Sequence, residues 1–159
     1  MSIPSTAAPR DAVSRGGTSD LLRGSLRIDG WGTAVFGVVM LVGGQWLAGP
    51  LGLPAAWFVP AGIAMLGGAA ALGLITGYPR IPPRLAGYAI AGNALSGLAI
   101  LALVVTGPLP LTGLGIAFML AGAAWVTTFA TLAFIGLVRA KAVAYGLADS
   151  AAPESGTPA

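Results

Sequence analysis

Residues 30–79 read GWGTAVFGVVMLVGGQWLAGPLGLPAAWFVPAGIAMLGGAAALGLITGYP, without one charged side chain. The stretch 85–138 is equally free of charge. A helix needs about 20 apolar residues to cross a bilayer, so each stretch is long enough for two spans and a turn. We therefore predict an all-α membrane protein with four transmembrane helices.

The overall composition supports this class and excludes much chemistry. Of 159 residues, 56% are hydrophobic and 8% are charged, whereas about 25% are charged in an ordinary soluble domain. The chain has no Cys and no His, which excludes disulfides, a histidine proton shuttle, and zinc or haem sites built from these ligands. The glycines do not form a phosphate-binding motif. We expect no enzymatic activity and no cofactor or metal.

Clusters of Pro and Gly divide the two uncharged stretches into helices. Such clusters mark turns, because proline lacks a backbone donor and clashes with the preceding helical turn. The predicted helices cover about residues 31–48, 55–78, 85–106 and 111–139. Pro60 falls in the first turns of the second helix and indicates either a kink or a later helix start.

The polar ends complete the domain organisation. Residues 1–25 are rich in Ser, Thr, Pro, Gly and Arg, a composition typical of disorder. We predict a disordered cytoplasmic tail at 1–25, a four-helix transmembrane domain at 26–139 and a second cytoplasmic tail at 140–159.

The positive charges predict an orientation. They precede the first helix, lie between the second and third, or follow the fourth: Arg10, Arg15, Arg23, Arg27, Arg80, Arg84, Arg139 and Lys141. The turns 49–54 and 107–111 carry no charge. With four spans all cations fall on one face, which is cytoplasmic because Arg and Lys are disfavoured on the translocated side. We predict two helical hairpins in a compact bundle, with both termini inside, in a bacterial inner membrane.

Asp29 is the acidic residue nearest to a predicted span. It stands at the entrance of the first helix, where it caps the helix or pairs with Arg27 at the level of the lipid headgroups. A catalytic or coupling role is the alternative. Because no predicted span contains a charge, the sequence argues against proton- or sodium-coupled transport.

Asn93, Thr127 and Thr131 are the other candidate helix–helix or solute contacts. Asn93 lies about a third of the way along the third span, and a carboxamide in hydrocarbon needs a partner, typically on a neighbouring helix. Helix packing is one interpretation of Asn93 and a solute contact is the other. Small residues at four-residue spacing, including Thr127 and Thr131, favour a tight bundle and leave a dimer interface open. Trp125, near the middle of its span, is expected to pack between helices.

Several short segments resemble those of a broad group of small bacterial four-helix membrane proteins of unassigned function. They are LRID at 26–29, GPLGLP at 49–54, AGNA at 91–94 and GLVR at 136–139. The resemblance covers about residues 22–139 and implies the same four-helix architecture. It implies no catalytic residue.

The sequence thus predicts a non-enzymatic integral membrane protein, an accessory or structural subunit that packs with itself or with a larger membrane complex. The alternative is a small oligomeric channel or permease that moves an uncharged or lipid-like solute past Asn93 and the two threonines. The cations beside the spans are explained by contact with lipid headgroups. The predicted partners are therefore the lipid bilayer and membrane protein, not nucleic acid.

Overall fold

The computed structural model describes the backbone of residues 10–150 and the side chains of residues 20–145. Over this part the chain is all-helical. It contains α1 (Arg10–Leu51), a short 3-10 helix (Ala55–Trp57), α2 (Phe58–Gly77), α3 (Pro83–Thr106) and α4 (Gly113–Ser150). Each of these four long helices includes a segment that is long and apolar enough to cross a membrane. The predicted all-α class with four candidate spans is confirmed.

Proline and glycine set the helix ends. Pro60 is the third residue of α2, where backbone N–H groups have no partner within the helix, so proline costs no hydrogen bond there. Of the two interpretations of Pro60, the later helix start is correct, because the 3-10 helix occupies residues 55–57. Pro83 opens α3, and Gly107 ends it in the left-handed conformation, with φ 62°.

The outer helices are longer than the sequence predicted. α1 begins at Arg10 rather than near residue 31, and α4 continues past residue 139 to Ser150. The predicted N-terminal tail is therefore helical from residue 10 to residue 25. Leu22 and Leu26, one turn apart on α1, are buried against residues of all three other helices, and this burial favours the extension. Residues 1–9 and 151–159 of the predicted tails lie outside the described residues.

α1 is the central helix of the bundle. It packs along both α2 and α4, while α3 packs along α4 and makes only slight contact with α2. Two buried clusters form the core. One contains Leu22, Leu26, Leu72, Ala86 and Ala133; the other contains Met40, Leu51, Leu53 and Phe58. Many large apolar side chains instead face outwards, as expected for a surface whose solvent is lipid.

The two uncharged turns bind each other at one end of the bundle. The Thr112 hydroxyl donates to the carbonyl of Pro50 at 2.6 Å, and the Thr112 N–H donates to that of Leu51 at 3.2 Å. Gly52 has φ 67°, and a side chain there would overlap the Pro110 carbonyl. Glycine is required at position 52, because it adopts a positive φ without strain and has no side chain to overlap the carbonyl.

Arg23 joins α1 to α2 at the opposite end. Its guanidinium donates to the carbonyl of Thr76 and to those of Tyr78 at 2.8 Å and Pro79 at 3.0 Å. These carbonyls lie at the C-terminus of α2, where helical carbonyls have no intrahelical donor. Arg23 is therefore a capping residue for α2, a role that the sequence analysis did not predict.

Candidate functional site

The most unusual group in the structure is the carboxyl of Asp29, which is 0% exposed. Asp29 lies well inside α1 and inside the candidate span Asp20–Leu51. It is six residues, or about 9 Å along the helix axis, from Arg23, which binds the end of α2. The expectation that Asp29 caps the first helix or pairs with Arg27 is wrong, because the helix continues N-terminally and buries the carboxyl among helices.

Both oxygens of the Asp29 carboxyl accept hydrogen bonds. The Asn93 Nδ2 of α3 donates to Oδ2, and the Thr33 hydroxyl, one turn along α1, donates to Oδ1 at 3.5 Å. The backbones of α1 and α3 do not pack together in the described part of the chain. The Asp29–Asn93 hydrogen bond thus connects two helices whose other contact is between side chains, such as Leu26 and Ala86 in the same buried cluster.

Trp125 of α4 completes the enclosure of this contact. Its indole lies beside the Asp29 carboxyl. The buried Nε1–H of the indole forms no hydrogen bond with any of residues 20–145. The ring packs on Phe129, with centroids 4.8 Å apart, and on Gly32, where any side chain would overlap the indole. Trp125 packs between helices, as predicted, and Gly32 is small because the indole occupies its side-chain space.

The local sequence explains why these groups meet. Asp29, Gly32 and Thr33 are spaced three and four residues apart, so they share one face of α1. Asn93 is the eleventh residue of the 24-residue α3, nearer the middle of the helix than the sequence analysis predicted. The spacing of Asp29 and Thr33 was visible in the sequence, whereas Asn93 is 64 residues from Asp29 and only the fold brings them together.

Uncharged hydrogen-bond donors, not cations, contact the carboxyl of this site in the described residues. Within residues 20–145 neither Arg nor Lys pairs with Asp29. A buried charge without a counter-ion is costly, and donors must compensate for the water it has lost. The candidate span that contains Asp29 is 32 residues long, whereas the predicted span begins at residue 31 and leaves Asp29 at its entrance, so the argument against ion-coupled transport stays a prediction.

Thr127 and Thr131 do not belong to this site. Both are exposed on α4, and the Thr131 hydroxyl donates to the Thr127 carbonyl of its own helix at 2.9 Å. Thr127 packs on α3, since a Cβ added at Gly97 would lie 2.8 Å from its Oγ1. The small-residue spacing thus serves α3–α4 packing at Gly97 and Ala123, both of which are buried.

A separate open groove of about 420 Å³ lies between α1 and α2. Its lining includes Arg27 and Trp31 but none of Asp29, Asn93, Thr127 or Thr131. The described part of the chain also has no group of three or more carboxylates able to hold a metal ion.

No protein-family model matches this chain, and no curated protein or solved structure proves similar to it. Its class therefore follows from the fold and the site alone. Over residues 10–150 it is an all-helical protein with four candidate membrane spans, in which a buried carboxyl is hydrogen-bonded across helices.

Proposed function

We propose that this chain is a non-enzymatic integral membrane protein, an accessory or structural subunit that packs with itself or with a larger membrane complex. The observation that carries the proposal is the full burial of Asp29, with both oxygens accepting hydrogen bonds. A group enclosed in this way holds helices in position. A group on a transport path would border a cavity, and the groove between α1 and α2 does not include Asp29.

The proposal includes two helical hairpins with both termini in the cytoplasm, in a bacterial inner membrane. The hydrogen bonds of Thr112 support it, because they hold the two uncharged turns at one end of the bundle. The contact of Arg23 with Tyr78 supports it as well, because it joins α1 to the end of α2 that precedes the Arg80–Arg84 turn. Arg and Lys concentrate on the cytoplasmic side of membrane proteins.

We place the partner on the outer surfaces of α2 and α3, where several glycines leave open space. These helices make only slight contact, and a Cβ added at Gly67 or Gly68 of α2, or at Gly87 or Gly92 of α3, would meet no atom within 4 Å. Glycine in a helix interior costs about 1 kcal/mol relative to alanine. That cost is offset where a helix of another chain approaches closely.

Chemical crosslinking in native membranes and purification in a mild detergent test this proposal. We expect an oligomer or a co-purifying membrane protein, and we expect Gly67→Leu together with Gly92→Leu to weaken the association. Gly113→Leu is the matched control, because Gly113 also has no neighbour within 4 Å but lies at the first residue of α4. A stable monomer without a partner would contradict the proposal.

The second candidate is a small oligomeric channel or permease for an uncharged or lipid-like solute. The exposure of Thr127 and Thr131 on α4 favours it, since exposed polar residues of one chain can line a path once several chains assemble. Solute flux in proteoliposomes that disappears in Thr127→Val with Thr131→Val, at unchanged stability, would favour this candidate. Asn93→Leu is less informative, because it also breaks the contact with Asp29.

A further inference from the structure

Small residues of both helices contribute to the lining of the groove between α1 and α2. They include Ala34 of α1 and Ala70 and Gly73 of α2, whereas Gly30 packs closely, since a Cβ there would lie 3.3 Å from that of Leu72. At Gly73 an added Cβ would meet no atom within 4 Å. The space is therefore open, and its volume of about 420 Å³ is within the range of small-molecule sites, about 300–1,000 Å³.

One end of this groove is positively charged. Arg27 lines it, is exposed and makes no hydrogen bond or ion pair within residues 20–145. Arg23, one turn earlier on α1, is in contrast bound to backbone carbonyls of α2 and its following turn. Arg27 is thus the guanidinium of this pair that is available to a ligand.

The dimensions of the groove match one leaflet of a bilayer. Along α2 it extends from Thr76 to Leu66, ten residues or about 15 Å. The hydrocarbon core of a bilayer is about 30 Å thick, so one leaflet contributes about half of it. Thr76 is the next-to-last residue of α2, which places the Arg27 end of the groove where this span ends.

We propose that the groove binds an anionic phospholipid, with one acyl chain between α1 and α2 and the phosphate paired with Arg27. Guanidinium and phosphate form strong, often bidentate, hydrogen bonds. The small residues admit an acyl chain between the helices, and the apolar face of Trp31 borders it. This site goes beyond the proposed packing function and uses none of the residues of the Asp29–Asn93 contact.

Lipid retention in native mass spectrometry tests the site with the full-length chain. Phosphatidylglycerol and phosphatidylcholine of equal chain length are titrated separately. We expect the chain to retain phosphatidylglycerol preferentially and Arg27→Gln to lower that affinity about fivefold, the effect of one Arg close to an anionic surface. Gly73→Leu fills the groove and should lower the retention of both lipids.

Arg139→Gln is the control, because Arg139 is an exposed cation of α4 outside the groove. If Arg139→Gln lowered the affinity for phosphatidylglycerol as much as Arg27→Gln, or if Arg27→Gln did not lower it, the proposal would be overturned. The lipid would then be held by diffuse attraction to the positive charges of the protein. If glycerol phosphate displaced the lipid from the groove, the lipid proposal would be overturned, and the ligand of Arg27 would be a free phosphate. If Gly73→Leu converted a dimer to a monomer without changing lipid retention, the groove would instead bind a second copy of the chain.

Discussion

Asp29 illustrates how a membrane helix can contain a carboxyl group. Its two oxygens face Asn93 and Thr33, and the Trp125 indole covers it. The Asp29–Asn93 contact spans α1 and α3, so its loss is expected to loosen the bundle rather than a single helix. Hydrogen bonds between membrane helices contribute about 0.6 kcal/mol on average and up to about 1.7.

We expect a double-mutant cycle of Asp29→Leu and Asn93→Leu to give a coupling free energy of about 0.6–1.7 kcal/mol. Asn93→Leu leaves the buried Asp29 carboxyl without its donor on α3, and Asp29→Leu leaves the half-buried Asn93 amide without its acceptor. Each single change should therefore lower the free energy of unfolding more than the double change does. Unfolding in mixed micelles of mild detergent and dodecyl sulfate measures the free energies. Purely additive effects would show that the two groups do not interact.

At the scale of single elements, the C-terminus of α2 depends on a residue of another helix. The last turn of α2 contains no basic residue, and Arg23 of α1 binds its carbonyls instead. A cation at this position also interacts favourably with the helix dipole. The end of α2 and the N-terminal half of α1 should therefore loosen together when Arg23 is lost.

We predict that Arg23→Gln lowers the free energy of unfolding by about 1 kcal/mol and speeds amide hydrogen exchange in the last turn of α2. Arg139→Gln is the control, because Arg139 is an exposed cation of α4 that makes no hydrogen bond within residues 20–145. Hydrogen exchange followed by mass spectrometry resolves the last turn of α2 from the N-terminal half of α1. Equal exchange in Arg23→Gln and in the unmodified chain would refute the capping role.

At the scale of the whole molecule, local sequence accounts for the class and the helix count. The uncharged stretches 30–79 and 85–138, divided by Pro and Gly, contain most of the four candidate spans. Hydropathy alone predicts the start of the first helix too late, because Arg27 and Asp29 lie inside the helix rather than before it. The burial of Asp29 depends on Asn93, 64 residues away, and the role of Arg23 depends on Tyr78, 55 residues away. Hydrogen bonds between residues so far apart in the chain leave no pattern in the local sequence.

We propose that the four spans form a bundle with both uncharged turns at one membrane surface and the cations at the other. The chain has no Cys, so single cysteines report their own exposure to a membrane-impermeant thiol reagent. In intact bacterial cells we predict labelling of Gly49→Cys and Pro108→Cys, in the two uncharged turns. Ala142→Cys, beside Lys141, should be labelled only after the membrane is opened. Labelling of Ala142→Cys in intact cells, or of only one of the two turns, would contradict the account.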